Sequence, residues 1–460
     1  MLPKSKPTGR PEILNIAGFA LLGLLLSLQP IALLGYFLII NFYYFYQYSK
    51  TFNVNILIHL LMFLPSIELL ARILSLDIMP SETGKYFCFL YFILFSLDKR
   101  IHTKKINTIF IVMFLFLFPS LLFMDMYNFQ KKIVFNLLGI INLALLGIFF
   151  SRVTITLVEF KNLFKNFIYS TIPILIILTV RTPKFSEIDF VLGANFDTSG
   201  GFGPNQVSTF LGAGIFILII NQIVFKTKLF SNNRQIDLFL IVALAFRALL
   251  TFSRGGLLSP AAAIILPINL LSKVQNIQKI IGNFIILILF SGIAYFLVNS
   301  LTGGLLTQRF SGETVQSISG KEEKSLEGFS TGRTSIIEDD VRLWFDNIVF
   351  GVGPGESPFK RAELGEERGA NTHTEFSRLL SEHGLFGLVV NILLIIIIPF
   401  KILNSKLSPQ IKYIKLAFIL FALFSMTHSA MRTIIPVIFY AFSAVNFDEG
   451  YKGESRKFKG

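Results

Sequence analysis

Residues 384–400 read GLFGLVVNILLIIIIPF, an uncharged run that follows directly on a polar stretch, NTHTEFSRLLSEH at residues 371–383. A bilayer span needs about 20 predominantly apolar residues, and similar runs recur along the whole chain. Bounded by polar or turn residues, they lie near 13–29, 30–47, 54–76, 85–97, 106–124, 133–150, 166–180, 205–225, 236–252, 256–271, 280–299, 384–400, 411–428 and 430–446. Several are short or closely joined, so the fourteen runs can merge to twelve. Composition agrees: of 460 residues 53% are hydrophobic and only 15% charged, against about 25% charged in soluble domains. A soluble enzyme is excluded. The expected fold is all-α, a polytopic membrane protein with about 12–14 transmembrane helices.

The chain carries 42 Lys+Arg against 28 Asp+Glu, a net +14. In a soluble protein that excess would raise the question of nucleic acid; here it works as a topology signal, because cytoplasmic loops retain Lys and Arg. With the N-terminus inside, every inner segment holds at least one cation: Lys4, Lys6 and Arg10; Lys50; Lys99, Arg100, Lys104 and Lys105; Arg152, Lys161 and Lys165; Lys226, Lys228 and Arg234; Lys273 and Lys279; Lys401, Lys406, Lys412 and Lys415; and Lys452, Arg456, Lys457 and Lys459. Both termini then fall inside, the outer face is slightly acidic in sum, and no nucleic-acid partner is implied. The basic start followed by an apolar run resembles the first two regions of a signal peptide, but no small-x-small cleavage site follows, so it reads as an uncleaved first span. The single Cys88 allows neither an intrachain disulfide nor a cysteine metal cluster.

This topology sets the expected organisation: membrane helices over 1–299, a periplasmic loop subdomain over 300–383, further membrane helices over 384–447 and a cytoplasmic tail over 448–460. The outer loop is too long for a structureless connector. Within it, 334–350 can form a helix with Ile337, Val341, Trp344, Phe345 and Ile348 on one side, an amphipathic element suited to the bilayer surface.

Cations at the outer ends of spans go against the positive-inside bias and are costly near lipid, which singles them out. They are Arg72, Lys85, Arg181, Arg247, Arg254 and Arg432, with Arg333 in the outer loop. The stretch Thr251-Phe252-Ser253-Arg254-Gly255-Gly256 joins two apolar runs so tightly that Arg254 must sit at the membrane edge. Its glycines suit a sharp turn with exposed N–H groups, and a guanidinium offers a forked donor for phosphate; a snorkelling interfacial Arg is the plainer reading. The second constellation is His373 at the start of a helix carrying Phe376, Leu379, Leu380 and His383 at helical spacing. A helix N-terminus lowers an imidazole pKa, and a neutral imidazole can accept a hydroxyl proton; a capping histidine is the plainer alternative. Glu375 and Glu382 either orient an imidazole or are solvated. His428 and Arg432, spaced i,i+4, either join the site or tie the last two spans together.

Taken together these residues resemble the O-antigen ligase and polymerase superfamily of bacterial membrane glycosyltransferases. The ligase pattern His-[Asn/Ser/Gln]-x9-Gly-x-x-Gly is matched by His373-Thr374, nine residues Glu375 to His383, and Gly384-Leu385-Phe386-Gly387, with Thr374 a conservative departure. Ser253-Arg254-Gly255-Gly256, Gly332-Arg333 with Trp344 downstream, Gly351-Val352-Gly353-Pro354-Gly355, Gly201-Phe202-Gly203-Pro204-Asn205-Gln206, and Pro80 to Tyr86 with Lys85 look like the same superfamily. The resemblance implies inverting, metal-independent transfer of a glycan from a polyprenyl-diphosphate carrier to an acceptor hydroxyl in surface polysaccharide or lipopolysaccharide biosynthesis. It gives His373 the role of base and Arg254 and Arg333 that of diphosphate ligands. Lys85, Arg181, His428, Arg432, Gly255 and Gly256 are expected around the substrate. No cofactor is implied. The partners implied are a lipid-linked oligosaccharide donor, a glycan or lipid A core acceptor and membrane lipids, and the location is the bacterial inner membrane with the site facing the periplasm.

Two alternatives stay open. A repeat-unit polymerase differs only in its acceptor, and Arg342 followed by Gly353 resembles a polymerase-loop spacing. A transporter or flippase of the same lipid-linked oligosaccharide would also want cations, but near the bilayer midplane, where Glu68 and Arg72 are the main charged candidates.

Overall fold

The computed structural model describes residues 10–98, 106–125, 132–225, 229–230, 234–273, 275, 277–313, 317, 333–363 and 373–448. Lys4, Lys6, Lys99, Arg100, Lys104, Lys105, Lys226, Lys228, Gly332, Asn371, Thr372 and the basic tail residues from Lys452 onward lie outside them.

The fold is all-α and polytopic, as expected. In chain order the helices are α1 Arg10–Leu28, α2 Ala32–Thr51, α3 Val54–Leu61, α4 Leu64–Leu74, α5 Thr83–Ser96, α6 Thr108–Phe116, α7 Leu138–Phe150, α8 Leu157–Arg181, α9 Pro204–Phe225, α10 Arg234–Leu250, α11 Gly255–Ile265, α12 Ile268–Ser272 and α13 Ile277–Leu301. They continue as α14 Leu305–Phe310, α15 Arg333–Asp346, α16 Ser357–Glu363, α17 Glu375–Ile392, α18 Ile398–Leu403, α19 Pro409–Met426 and α20 Ile435–Phe442.

Among the described residues seven stretches are long and apolar enough to cross a membrane: Val54–Leu74, Ile133–Phe150, Leu157–Arg181, Pro204–Val224, Gly255–Ser272, Glu375–Leu403 and Pro409–Met426. Glu12–Leu28, Thr83–Ser96, Thr108–Phe123 and Ser291–Leu301 are shorter apolar helices. The fourteen apolar runs do not each become one straight span, because several are interrupted. Run 54–76 breaks at Met62-Phe63, with Pro65 opening α4, and run 256–271 breaks before α12, with Pro267 at its N-cap; proline has no N–H to continue the ladder.

Helices α9, α11, α19, α20 and α7 pack in sequence through the middle of the bundle. An aromatic seam joins α8 to α19 and α20: Phe164, Phe418, Phe439 and Phe442 interlock, with Phe164 and Phe418 centroids 5.0 Å apart. Side-chain bonds divide the connecting loops into two sets, one at each end of the bundle. At one end Tyr48 donates to Asp98 (2.6 Å), Asn55 to Glu159 (3.1 Å) and Gln410 to the Val224 carbonyl (3.2 Å). There residues 154–155 pair in parallel with 446–447. At the other end the segments around residues 75–82, 182–203, 251–254, 302–313, 347–356, 373–374 and 427–434 meet. Asn195 N donates to Thr251 O (3.0 Å), Ser253 Oγ to Asn205 Oδ1 (2.8 Å) and Arg72 Nη2 to Arg432 O (2.7 Å).

In the long connection, α15 falls where an amphipathic helix is expected. It buries Ile336, Asp340 and Leu343 toward α17 and leaves Ile337, Phe345 and the following Ile348 and Val349 exposed.

Candidate active site

The turn between α10 and α11 is built differently from the sequence expectation. Its left-handed residue is Phe252, with φ 57°, not a glycine. Gly255 and Gly256 are instead the first residues of α11, behind Arg254 at the N-cap. A β-carbon on Gly255 would overlap the His428 ring, and one on Gly256 would overlap Ser208. Their function is therefore close approach: α11 lies against α9 and against the His428 turn with no side chain between. The start of a helix leaves backbone N–H groups without intrahelical acceptors and carries positive potential, so this end of α11 favours an anion.

A cavity of about 610 Å³ opens at that helix start. Arg254, Arg333, His428 and Thr374 supply polar lining, and Leu258, Ala262, Ile337, Phe376 and Phe424 an apolar wall. Four segments distant in sequence thus converge. His428 is locked: its Nδ1 faces the Phe424 carbonyl at 3.1 Å, which only accepts, so Nδ1 carries the proton and Nε2, 2.9 Å from Thr209 Oγ1, accepts.

His373 adjoins Thr374 and the α17 N-terminus. Its Nδ1 is buried with no hydrogen-bond partner among the described residues. Its pKa is pushed down to about 3, first by burial and then by Arg432, Arg333 and His428. A neutral imidazole was expected; the cause is burial among cations. Arg333 is likewise depressed by burial and by Arg254.

Sequence reading missed Arg309. It lies in the short α14, buried, and donates from Nη1 to Leu192 O at 2.9 Å, while its own carbonyl accepts from Arg254 Nη1 at 3.1 Å. Burial, then Arg254 and Arg333, lower its pKa to about 10. A lone Arg in Gln308-Arg309-Phe310 carries no motif, and its being a cation in the expected outer loop was the one available signal.

The glycines of the His motif act on backbone geometry. Gly384 breaks α17 with φ 59° and ψ −133°, a conformation closed to residues with a β-carbon. The break releases the Ser381 and Glu382 carbonyls, which accept instead from Val352 N (2.9 Å) and Gly353 N (3.1 Å), while Leu385 N donates to Ile348 O (2.7 Å). The Gly351–Gly355 loop is therefore fastened to the kink, and Gly387 is in the space where a β-carbon would overlap the Leu379 carbonyl. Behind His373, Glu375 and Glu382 both pair with Arg378, and Glu375 Oε2 accepts from Met431 N at 3.1 Å. The two carboxylates brace the helix and the Arg432 turn.

Lys85 and Arg181 are not among the residues lining this cavity. Lys85 is fully buried, 3.0 Å from Glu82 Oε2, and Arg181 donates to Ile73 O at 2.8 Å. Arg247 bonds Thr182 Oγ1 at 3.1 Å. Arg432 lies over Phe135 and lines a narrow polar crevice with Glu375 and Arg378.

Residues 239–392 match the family model described as O-antigen ligase. Over that segment, about a third of the chain, the sequence is similar to the O-antigen ligase family. No curated protein and no solved structure matches the chain. The O-antigen ligase segment contains Arg254, Arg309, Arg333, His373 and the Gly384 kink, and it implies glycosyltransferase activity of the ligase or polymerase type. His428 and Arg432 lie beyond it and reach the same cluster through the fold.

Proposed function

We propose that the chain transfers a glycan from a polyprenyl-diphosphate carrier to an acceptor hydroxyl. The observation that carries this reading is the convergence of Arg254, Arg333 and the α11 N-terminus on one cavity beside His373. The carrier diphosphate binds Arg254 and Arg333, with the apolar wall along its lipid. The acceptor oxygen attacks the anomeric carbon with inversion as the carbon–oxygen bond to the diphosphate breaks. The acceptor proton passes to His373, and the leaving group's negative charge falls to the guanidiniums, the stabilisation expected of preorganised donors.

A histidine held at about pKa 3 is a weak base, because general bases work best with a pKa near the working pH. Arg333 contributes to that depression. A diphosphate bound there offsets that field and raises the His373 pKa, while the larger part of the depression, which comes from burial, is unaffected. The bundle end bearing this cavity is assigned to the periplasm, with both termini in the cytoplasm of a bacterial inner-membrane protein.

The transporter reading finds less support. Glu68 and Arg72, the charges a midplane carrier would use, bind each other at 3.2 Å and the backbones of Ile434 and Arg432. Arg342 is exposed and lies 3.5 Å from Asp339. Ligase and polymerase share donor chemistry, and the acceptor separates them.

In proteoliposomes given lipid-linked oligosaccharide, His373→Ala is expected to abolish transfer while expression and membrane insertion stay intact. Arg254→Lys is expected to be severely impaired, because an ammonium lacks the forked contact. Wild-type product levels from His373→Ala would remove the base assignment.

A further inference from the structure

At the opposite end of the bundle a second cavity, of about 270 Å³, lies between α6, α18 and α19. We infer that it is a binding site for the phosphate of an anionic phospholipid. Lys401 and Lys415 both line it, and no carboxylate does among its lining residues. Lys401 is exposed at the end of α18; Lys415 is buried. Lys415 Nζ donates to Ser443 O (2.7 Å) and Val445 O (2.6 Å), which leaves one of an ammonium's three protons with no hydrogen-bond acceptor among the described residues.

The second observation is independent of the lysines. Ser443 lines the same cavity, is buried, and its Oγ has no hydrogen-bond partner among the described residues. A buried hydroxyl without a partner is costly, and a phosphate oxygen would accept from it and from Lys415 together. The remaining wall is mixed: Asn107, Ser151, Ser405 and Asn446 are polar, while Ile109, Ile398 and Ile402 give an apolar side against which an acyl chain can lie. Basic pockets between membrane helices on the cytoplasmic side recognise anionic headgroups on general electrostatic grounds, and the proposed topology puts this end there. The site is remote from the transfer cavity, and its test does not depend on glycan chemistry.

The test uses the purified full chain in nanodiscs of phosphatidylcholine with increasing phosphatidylglycerol, reading retained lipid by native mass spectrometry and thermal stability in parallel. Wild type is expected to retain phosphatidylglycerol preferentially. Lys401→Gln, an exposed substitution that should leave folding intact, is expected to weaken retention about five-fold, the equivalent of about 1 kcal/mol for one surface cation. Lys401→Glu is expected to weaken it further. Inorganic phosphate, titrated without charged lipid, separates the sources: stabilisation by millimolar phosphate that Lys401→Gln removes would support the anion site but overturn its assignment to lipid. Equal phosphatidylglycerol retention by wild type and both variants would overturn the site.

Discussion

Two buried charge clusters near the same end of the bundle are built on opposite plans. In the first, Glu68, Arg72, Glu82 and Lys85 alternate in sign and touch at 2.9–3.2 Å, and Glu68 and Arg72 extend to the backbones of Ile434 and Arg432. In the second, Arg254, Arg309 and Arg333 gather around the transfer cavity, and burial and mutual repulsion lower the pKa of Arg309 and Arg333. Neither Arg309 nor Arg333 has a carboxylate at salt-bridge distance among the described residues. The first cluster is balanced within the chain and serves as framework. Under the proposed function the second cluster meets its counter-charge in the donor diphosphate.

That contrast can be broken from either side. Removing a framework cation leaves a buried carboxylate uncompensated, so Arg72→Leu is expected to cost about 3–5 kcal/mol of stability, seen as a large fall in Tm in detergent. An unchanged Tm would erase the distinction. Removing a cavity cation should do the reverse: Arg333→Gln is expected to lower kcat about 10²–10³-fold, as losing one transition-state donor does, with Tm held or slightly raised. A variant that lost Tm instead of turnover would place Arg333 in the framework. Arg309→Gln should act more weakly, about ten-fold on kcat/KM, because Arg309 holds the Arg254 turn and adds field; Arg309→Lys should restore the field without the Leu192 contact and recover only part of the loss.

The smallest expected effect is a displacement in pH. Proton acceptance requires neutral His373, so rates fall as pH drops through its pKa. On the free chain that value is about 3, and under the proposed function a bound diphosphate would raise it. The acidic limb of kcat, which reports the donor complex, is therefore expected at higher pH than the limb of kcat/KM, which reports the free enzyme. Coincident limbs would detach His373 from the diphosphate.

Much of this was legible in the chain itself. The all-α membrane class follows from hydropathy. His373 and Arg254 stood out as candidates because glycines near them are backbone devices: the Gly384 kink and the close approach at Gly255. Lys85 and Arg181 read like the cavity cations because sequence shows a cation's depth and not its partner; Glu82 lies just three residues before Lys85, yet only packing shows that the pair is buried together. Arg309 was hidden for the converse reason, since its proximity to Arg254 is created by the folding of α14 against the α10–α11 turn. Runs and helices do not correspond one to one, because run 54–76 breaks at Met62-Phe63 and run 256–271 breaks at Pro267.

The central claim is bond-making on a lipid-linked glycan, and the product of a reconstituted reaction tests it most directly. Wild-type chain in proteoliposomes, supplied with polyprenyl-diphosphate oligosaccharide and a hydroxyl-bearing acceptor, is expected to release the carrier diphosphate and yield glycan joined to that acceptor. Length ladders still on the carrier would mean that the acceptor is a second donor molecule and the enzyme a polymerase. Oligosaccharide that crosses the bilayer with no new glycosidic bond would contradict the account.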